Sequence, residues 1–388
     1  MAFLKFQADQ LFTGSRMLPG NNVLIMDADG TVLDLIPDSM AGEDVLQLNG
    51  ILSPGFVNAH CHLELSHMKD VIPPGTGMVD FLLGILQQRK AGEAAIREAM
   101  IKAESDMLQA GIVAVGDICN TPHSLFLKQA GRLHYHSFIE VSGFSPAVVN
   151  DRFNSAETLW RLYQASGHDR HKTSLVPHAP YSVAPALFER IKELPDTGPI
   201  SMHHQESKEE DLFFKQAAGD MTRLYQQLNI SLDFFKASGK SSLQTVLPYL
   251  PKNRPLILVH NVTMEQEDLQ AMETTFNNQS DVFICLCPNA NLYINGKLPD
   301  ISLLRKAKYP LLLGTDSLAS NQQLSILAEM QTLQSHFAGI SLEELFTWAT
   351  LNGARALQMD DILGSFEPGH KPGLLLVDTG LAKLRRLL

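Results

Sequence analysis

A dense group of histidines follows an apolar segment near residue 60 of this 388-residue chain. Residues 58–67 read NAHCHLELSH, directly after the segment ILSPGFV. If this segment is a strand, His60 and His62 share one face and Cys61 points to the other. Three other short apolar runs also end on a group that can bind a metal, and these end groups are His203, His260 and Asp316. Three imidazole nitrogens and one carboxylate oxygen would suit zinc or a similar divalent ion, with one position open for water.

These side chains need elements that bring them together. The chain carries eight short apolar runs separated by amphipathic stretches, at 55–60, 112–118, 134–141, 173–179, 199–204, 255–260, 281–287 and 309–316. This pattern is typical of parallel strands that are buried on both faces and separated by helices. It predicts an α/β fold, a (β/α)8 TIM barrel, in which functional residues lie at the carboxyl ends of the strands. A buried structural histidine would explain any one of the histidines taken alone, but the coincidence of five such residues at strand ends favours the metal site.

Both termini have a different pattern. The first fifty residues alternate apolar and polar side chains around turn signals. The C-terminal segment GSFEPGHKPGLLLVD again has the pattern of strands and turns. We therefore predict a small composite β-sandwich from residues 1–50 and 357–388, and a barrel domain over residues 51–356. Ser320 and Gln323 have the spacing of a capping box, which predicts that a helix begins there.

Glu206 lies three residues after His203 in the segment HHQE. Just past a strand end, its carboxyl group would lie close to the metal without binding it, and could carry a proton between water and a leaving group. A surface glutamate that caps the next helix is the alternative. The neighbouring histidine favours the catalytic interpretation.

Several other polar residues have two interpretations. Glu64 and Ser66 continue the face of His60 and His62, so they are candidates for substrate contact or for ordering the first loop. His178 follows the fourth apolar run and could contact substrate or support the site. Cys61 is expected to be a small buried side chain.

Charge and composition limit the partners. A formal net charge of −11 disfavours nucleic acids and anionic membranes, because both need a basic surface. No apolar run approaches the roughly 20 residues of a membrane span. Four scattered cysteines predict no disulfide scaffold and favour the cytoplasm. A small-molecule substrate is the expected partner, and a homodimer is a candidate assembly.

In combination, these motifs resemble the amidohydrolase superfamily over nearly the whole chain. The matching segments are PGFVNAHCH, HHQE, the histidine of PLILVH and the aspartate of GTD. The fourth run ends VPHAPYS, without the lysine that bridges two metals in binuclear members, so the chain looks like the mononuclear deaminase and chlorohydrolase branch. HLELS and CPNANLYINGKL look most like aminodeoxyfutalosine deaminases, although Ala290-Asn291 stands where Ser-Asn is common. Pro372-Gly373 replaces the usual Ala-Asp of the returning strand.

The resemblance implies roles for individual residues. One divalent metal, zinc first with Fe²⁺ and Mn²⁺ as alternatives, would be held by His60, His62, His203 and Asp316. Glu206 would carry a proton to the ring nitrogen, His260 would bind the nascent oxyanion or orient water, and Asp316 could accept the proton of water. The implied substrate contacts include Asn291.

Three functions remain open at this point. The first is a hydrolytic deaminase of a purine nucleoside-like heterocycle that releases ammonia, with an aminodeoxyfutalosine-like substrate favoured. The second is an amidohydrolase or chlorohydrolase that opens a ring amide or displaces another leaving group. The third is an interaction protein that has kept the fold without catalysis, against which the presence of all the proposed ligands and of Glu206 argues.

Overall fold

The computed structural model describes residues 3–165, 167–276, 281–307 and 309–388. Within them the strands are β1 (Phe3–Phe12), β2 (Met17–Pro19), β3 (Asn22–Asp27), β4 (Val32–Pro37), β5 (Leu46–Ser53), β6 (Phe56–Cys61), β7 (Ile112–Cys119), β8 (His134–Val141), β9 (His171–Pro177), β10 (Ile200–His204), β11 (Leu256–His260), β12 (Val282–Leu286), β13 (Leu311–Leu313), β14 (Leu375–Val377) and β15 (Leu384–Arg386).

The helices alternate with the central strands. They are α1 (Met78–Gln88), α2 (Glu93–Gln109), α3 (Leu125–Ala130), α4 (Val149–Gln164), α5 (Pro185–Lys192), α6 (Lys208–Gln216), α7 (Asp220–Gln227), α8 (Ser242–Val246), α9 (Gln266–Thr275), α10 (Pro288–Asn295), α11 (Ile301–Lys306), α12 (Ile326–His336), α13 (Leu342–Ala349) and α14 (Leu351–Ala356). None of the helices among the described residues is both long enough and apolar enough to cross a membrane.

Strands from both ends of the chain form one seven-stranded sheet. Its order is β15-β14-β5-β1-β3-β4, with β2 paired to β1. The alternation in β1 buries Phe6 and Ala8, which pack in one cluster with Leu24 and Leu52 from the neighbouring strands. The C-terminal segment of the chain therefore pairs with the N-terminal segment, as the sequence pattern of the C-terminal segment indicated. β5 runs to Ser53, so the predicted domain boundary at residue 50 falls inside this strand.

All eight predicted apolar runs form parallel strands. They are arranged as β6-β7-β8-β9 and β10-β11-β12-β13. The two groups touch at both edges: the His203 amide donates to the His178 carbonyl at 2.9 Å, and the amides of Thr315 and Asp316 donate to the His60 carbonyl at 3.0 and 3.1 Å. The result is a mixed α/β fold in which the carboxyl ends of these strands carry the candidate site.

Helices cover the strands with apolar stripes. In α2, Ile96, Met100, Ala103 and Met107 are buried at intervals of three and four residues, the spacing of one helix face. The predicted start of a helix at Ser320 is wrong. Helix α12 begins at Ile326, and its cap is Ser325, whose hydroxyl accepts a hydrogen bond from the Ala328 amide at 3.3 Å.

Candidate metal centre and active-site cavity

Four side chains from the ends of three strands converge on one point. The Nε2 atom of His62 lies 3.2 Å from that of His60 and 3.0 Å from that of His203. The Oδ1 atom of Asp316 lies 3.3 Å from His62 Nε2 and 3.6 Å from His60 Nε2. His60, His62 and His203 thus form a cluster of potential metal ligands in the structure.

The donor atoms fit a divalent ion. Donors about 2.05 Å from one zinc ion at tetrahedral angles would be about 3.3 Å apart, close to the measured separations. One proton cannot satisfy three facing imidazole nitrogens, whereas a cation between them can. Burial lowers the pKa of His60, and it lowers the pKa of His62 to about 3, so both rings are neutral and keep a lone pair for a metal.

The site also concentrates negative charge. Burial alone would lower the pKa of His203, but the hydrogen bond and charge of Glu140 outweigh it and raise this pKa to about 9. Burial alone would raise the pKa of Asp316, but a hydrogen bond from His60 and the other neighbouring histidines lower it. A carboxylate that stays ionised beside buried imidazoles favours a bound cation.

The backbone at these strand ends is unusual. His260 and Asp316 have φ angles of 78° and 57°, a left-handed conformation that is uncommon outside glycine. Such conformations cost about 1–3 kcal/mol each and persist where the surroundings impose them. At Asp316 the turn brings Oδ2 within 2.5 Å of the Ser320 hydroxyl, which donates to it. Ser320 therefore holds the carboxylate instead of capping a helix.

Glu206 is buried beside the cluster and not on the surface. Its Oε2 atom lies 3.6 Å from His260 Nε2. Burial and the nearby charge of Asp316 raise the pKa of Glu206 to about 8. The carboxyl group is therefore placed to hold and release a proton near neutral pH.

The two ring nitrogens of His260 have different environments. The Asn291 amide nitrogen donates to Nδ1 at 3.0 Å, and burial lowers the pKa of the ring. A neutral ring that accepts at Nδ1 carries its proton on Nε2, the nitrogen near Glu206. Asn291 is itself fully buried. The structure places Asn291 against His260 and not among the residues that line the cavity, and its direct contact with substrate stays a prediction.

Glu64 and Ser66 are also held by hydrogen bonds to other residues of the protein. The Glu64 carboxylate accepts from the Thr121 amide at 2.9 Å, the Thr121 hydroxyl at 2.8 Å and the Asn120 amide at 3.2 Å. The Ser66 hydroxyl donates to the Leu63 carbonyl at 2.7 Å. Neither side chain lines the main cavity that the structure describes. Their geometry matches the alternative in which they order the first loop.

His178 does line the cavity. Its carbonyl accepts from the His203 Nδ1 atom at 3.0 Å, and its own Nδ1 lies 2.5 Å from the Ser182 hydroxyl. Since Nδ1 of His203 is engaged by this carbonyl, Nε2 is the ring nitrogen that faces the cluster. His178 therefore combines support of the site with access to the cavity.

Glu140 is the residue that the sequence reasoning missed. It is the next-to-last residue of β8, its side chain is buried, and its Oε1 atom lies 3.3 Å from His203 Nδ1. Burial alone would raise its pKa, but His178 and His203 lower it, which keeps the carboxylate ionised. Its position near a strand end was the available signal, because HYHSFIEV places an acid near the end of the third apolar run.

A cavity of about 730 Å³ opens over the cluster. The part that we call the metal side is lined by His62, Glu140, His178, His203, Glu206, His260 and Asp316. The part that we call the apolar side is lined by side chains that include Met78, Phe81, Leu82, Ile85, Leu224 and Leu228. The apolar side comes from α1, α7 and the residue after α7, which pack in a hydrophobic cluster separate from the core around the strands.

Comparison with known proteins places these features in context. A sequence model described as the Amidohydrolase family matches residues 51–387. The chain is 26% identical over 331 residues to an adenosine deaminase of Helicobacter pylori, covering 84% of this chain and 78% of that protein. It is 25% identical over 344 residues to an aminodeoxyfutalosine deaminase of Nitratiruptor sp., covering 85% and 79%. The crystal structure of Helicobacter pylori aminofutalosine deaminase with methylthio-coformycin superimposes with a TM-score of 0.79 at 22% identity, covering 97% of this chain and 92% of that one.

Proposed function

This chain belongs to the amidohydrolase family, and we propose that it is a metal-dependent hydrolase that removes the amino group of a purine nucleoside-like heterocycle and releases ammonia. The single observation that carries the proposal is the convergence of His60, His62, His203 and Asp316 beside the buried Glu206. The deaminase names of its sequence relatives support the reaction class.

We assign the metal to the four converging donors, with zinc as the ion that best suits three imidazoles and one carboxylate. When bound, a divalent ion supplies Lewis acidity and lowers the pKa of water toward about 7. The chain's own residues fix the ligands. Glu140 and the His178 carbonyl orient His203, and Ser320 orients Asp316.

The remaining groups handle protons. Hydrolysis of an aminated ring adds water across a carbon–nitrogen bond: the hydroxyl group joins the carbon, one proton goes to the ring nitrogen, and another leaves with the amino group as ammonia. Glu206 is placed to give the proton to the ring nitrogen, and Asp316 to take one from water. His260 carries an Nε2 proton that can stabilise the oxygen as it gains charge.

The architecture that best accounts for the site is a closed (β/α)8 barrel with a β-sandwich built from both termini. The backbone hydrogen bonds at both edges of the two strand groups support closure. We also propose that the protein binds a single ion, acts on a small-molecule substrate and is located in the cytoplasm. All four cysteines are free and buried, which suits a reducing compartment.

The other functions are less well supported. Ring opening or displacement of chloride would use the same metal and the same Glu206, but the two relatives compared by sequence are deaminases. An interaction protein without catalysis has no need for a buried acid beside a complete ligand set.

The proposal is tested by measuring ammonia release from a panel of substrates by the metal-loaded protein. The panel contains 6-aminopurine nucleosides with and without a 5′ substituent, free adenine, cyclic amides and chlorinated triazines. We expect ammonia from the nucleosides and much less from free adenine, because a site that binds the sugar side loses those contacts with the base alone. Activity confined to cyclic amides or to chlorinated rings would replace this proposal with the second function.

A further inference from the structure

The turn that carries Glu206 has a strained backbone. Strand β10 ends at His204, and the next residue, Gln205, has a φ angle of 44°, which lies in the left-handed region. A residue with a side chain keeps this conformation only where its surroundings impose it. Gln205 is buried and does not line the cavity, whereas Glu206 does. The contacts that fix this turn therefore lie behind the cavity.

The side chain of Gln205 is held between two buried carboxylates. Its amide nitrogen donates to Asp268 Oδ2 at 2.9 Å and lies 3.3 Å from both oxygens of Asp211. Asp211 belongs to α6 and Asp268 to α9, so one amide joins two helices. Only the nitrogen end of the amide can face two acceptors, and its two hydrogens provide one bond for each acid. The orientation of the Gln205 side chain is therefore fixed.

The two carboxylates are themselves held by neutral donors. Asp268 Oδ1 accepts from the Ser241 hydroxyl at 2.5 Å and from the Gln244 side-chain nitrogen at 3.1 Å. Asp211 Oδ1 accepts from the backbone amide of Ser242 at 3.0 Å. Both acids are buried, and neither forms a salt bridge with a basic residue in the part of the chain that the structure describes. Because a buried carboxylate is costly without its donors, both acids depend on the Gln205 amide.

The backbone of Gln205 joins this turn to the turn that follows His260. Its carbonyl accepts from the amide of Thr263, three residues after His260, at 3.1 Å. The Thr263 hydroxyl donates to Asp211 Oδ2 at 3.3 Å. Across these turns, Glu206 Oε2 and His260 Nε2 lie 3.6 Å apart. One group of contacts thus sets the positions of both proton-handling side chains.

We propose that Gln205 is a positioning residue: held by Asp211 and Asp268, it fixes the turn that aims Glu206 at the reacting atoms. This inference rests on the proposed function. A proton donor must come within about 2.6–3.2 Å of its acceptor, and a displacement of about 1 Å can cost about 10²-fold in rate. Since Gln205 does not line the cavity, it acts through Glu206 and not on the substrate.

The test compares two glutamine variants of the metal-loaded protein. Gln205→Met keeps the length of the side chain but removes the donor to both acids. Gln244→Met is the matched control, because Gln244 also donates to Asp268 but lies in α8, outside the turn. The measurements are kcat and KM for ammonia release from adenosine and from 5′-methylthioadenosine, metal content, and hydrogen exchange of the peptide that spans residues 203–207.

We expect Gln205→Met to lower kcat by about 10- to 100-fold. KM should stay near the wild-type value, because Gln205 does not line the cavity. Metal content should also stay, because Glu140 and the His178 carbonyl orient the ligand His203 without Gln205. Hydrogen exchange of residues 203–207 should become faster, because the turn has lost its anchor.

The control variant separates a positioning role from a general loss of stability. Gln244→Met also removes a donor from a buried carboxylate, so its Tm should fall. Its kcat and the exchange of residues 203–207 should remain those of the wild type.

Asp211→Asn tests the same contact from the other side, and it is decisive if Gln205→Met does not fold. The new amide places a donor where Gln205 needs an acceptor, while removal of a buried charge limits the loss of stability. We expect a smaller fall in kcat, unchanged KM and metal content, and faster exchange of the turn.

The outcomes separate the two proposals. An unchanged kcat in the variants of Gln205 and Asp211, or an equal fall in Gln244→Met, would overturn the positioning role while deamination stands. A fall in kcat that follows loss of metal would also overturn it, because the effect would then act through His203. Absence of ammonia from the wild type with every nucleoside of the panel would overturn the proposed function, and this inference with it.

Discussion

The two sides of the cavity are built in opposite ways. On the metal side, the side chains come from the ends of parallel strands, are buried or half-buried, and are held by partners such as Ser320 and Glu140. On the apolar side, they come from α1, α7 and the residue after α7. The first arrangement fixes atoms for chemistry. The second offers a surface whose contacts can change without disturbing the reacting groups.

This difference predicts how the two sides respond to mutation. Changes on the metal side should act on kcat or on metal affinity, because those groups are used in the transition state. Changes on the apolar side should act on KM, because the contacts there are equal in the bound and reacting states.

Glu206→Gln should have the largest effect. The amide keeps the size of the side chain but cannot carry a proton, so kcat should fall by about 10²–10⁴-fold. Metal content, measured on the same preparation, should remain at the wild-type value because Glu206 is not one of the converging donors. An unchanged kcat with intact metal would remove Glu206 from the mechanism and weaken the distinction between the two sides.

Glu140→Gln should have an intermediate effect, and on a different quantity. Loss of the charge beside His203 Nδ1 should weaken metal affinity by about 10- to 100-fold, the usual effect of removing a group that orients a ligand. The measurement is competition with a chelator of known affinity. Glu157→Gln on the surface of α4 is the matched control. Equal metal affinities for both variants would show that Glu140 does not orient the ligand.

Leu82→Ala should have the smallest effect. Removing about 40 Å² of apolar contact costs about 1 kcal/mol, which corresponds to about a fivefold rise in KM. Steady-state kinetics with a nucleoside that carries an apolar 5′ group would measure this rise in KM. The value of kcat should be unchanged. A fall in kcat as large as that of Glu206→Gln would contradict the division of the cavity.

The convergence of the four proposed metal ligands could be predicted from the sequence, for a physical reason. Strand alternation and the position of strand ends are local properties, so the text around His60, His203 and Asp316 was enough to place these side chains together. The family resemblance then separated His260 from the ligands. Glu140 was not predicted because a single acid near a strand end does not by itself show which histidine it contacts.

Contacts between distant loops could not be predicted in the same way. The sequence does not show that Glu64 accepts a hydrogen bond from Thr121, which is 57 residues away. Nor does it show that Asn291 contacts His260, which is 31 residues away. Only the packed structure shows that the apolar face of α1 and Leu224 of α7 meet in one cavity.

The most direct test of the account is the metal content of the purified protein, measured by elemental analysis together with ammonia release. We predict about one zinc ion per chain, loss of ammonia release on chelation and its return on addition of zinc, with occupancy reduced in His62→Ala and Asp316→Ala. Two tightly bound ions per chain, or no bound ion and full activity after expression with abundant metal, would contradict the account.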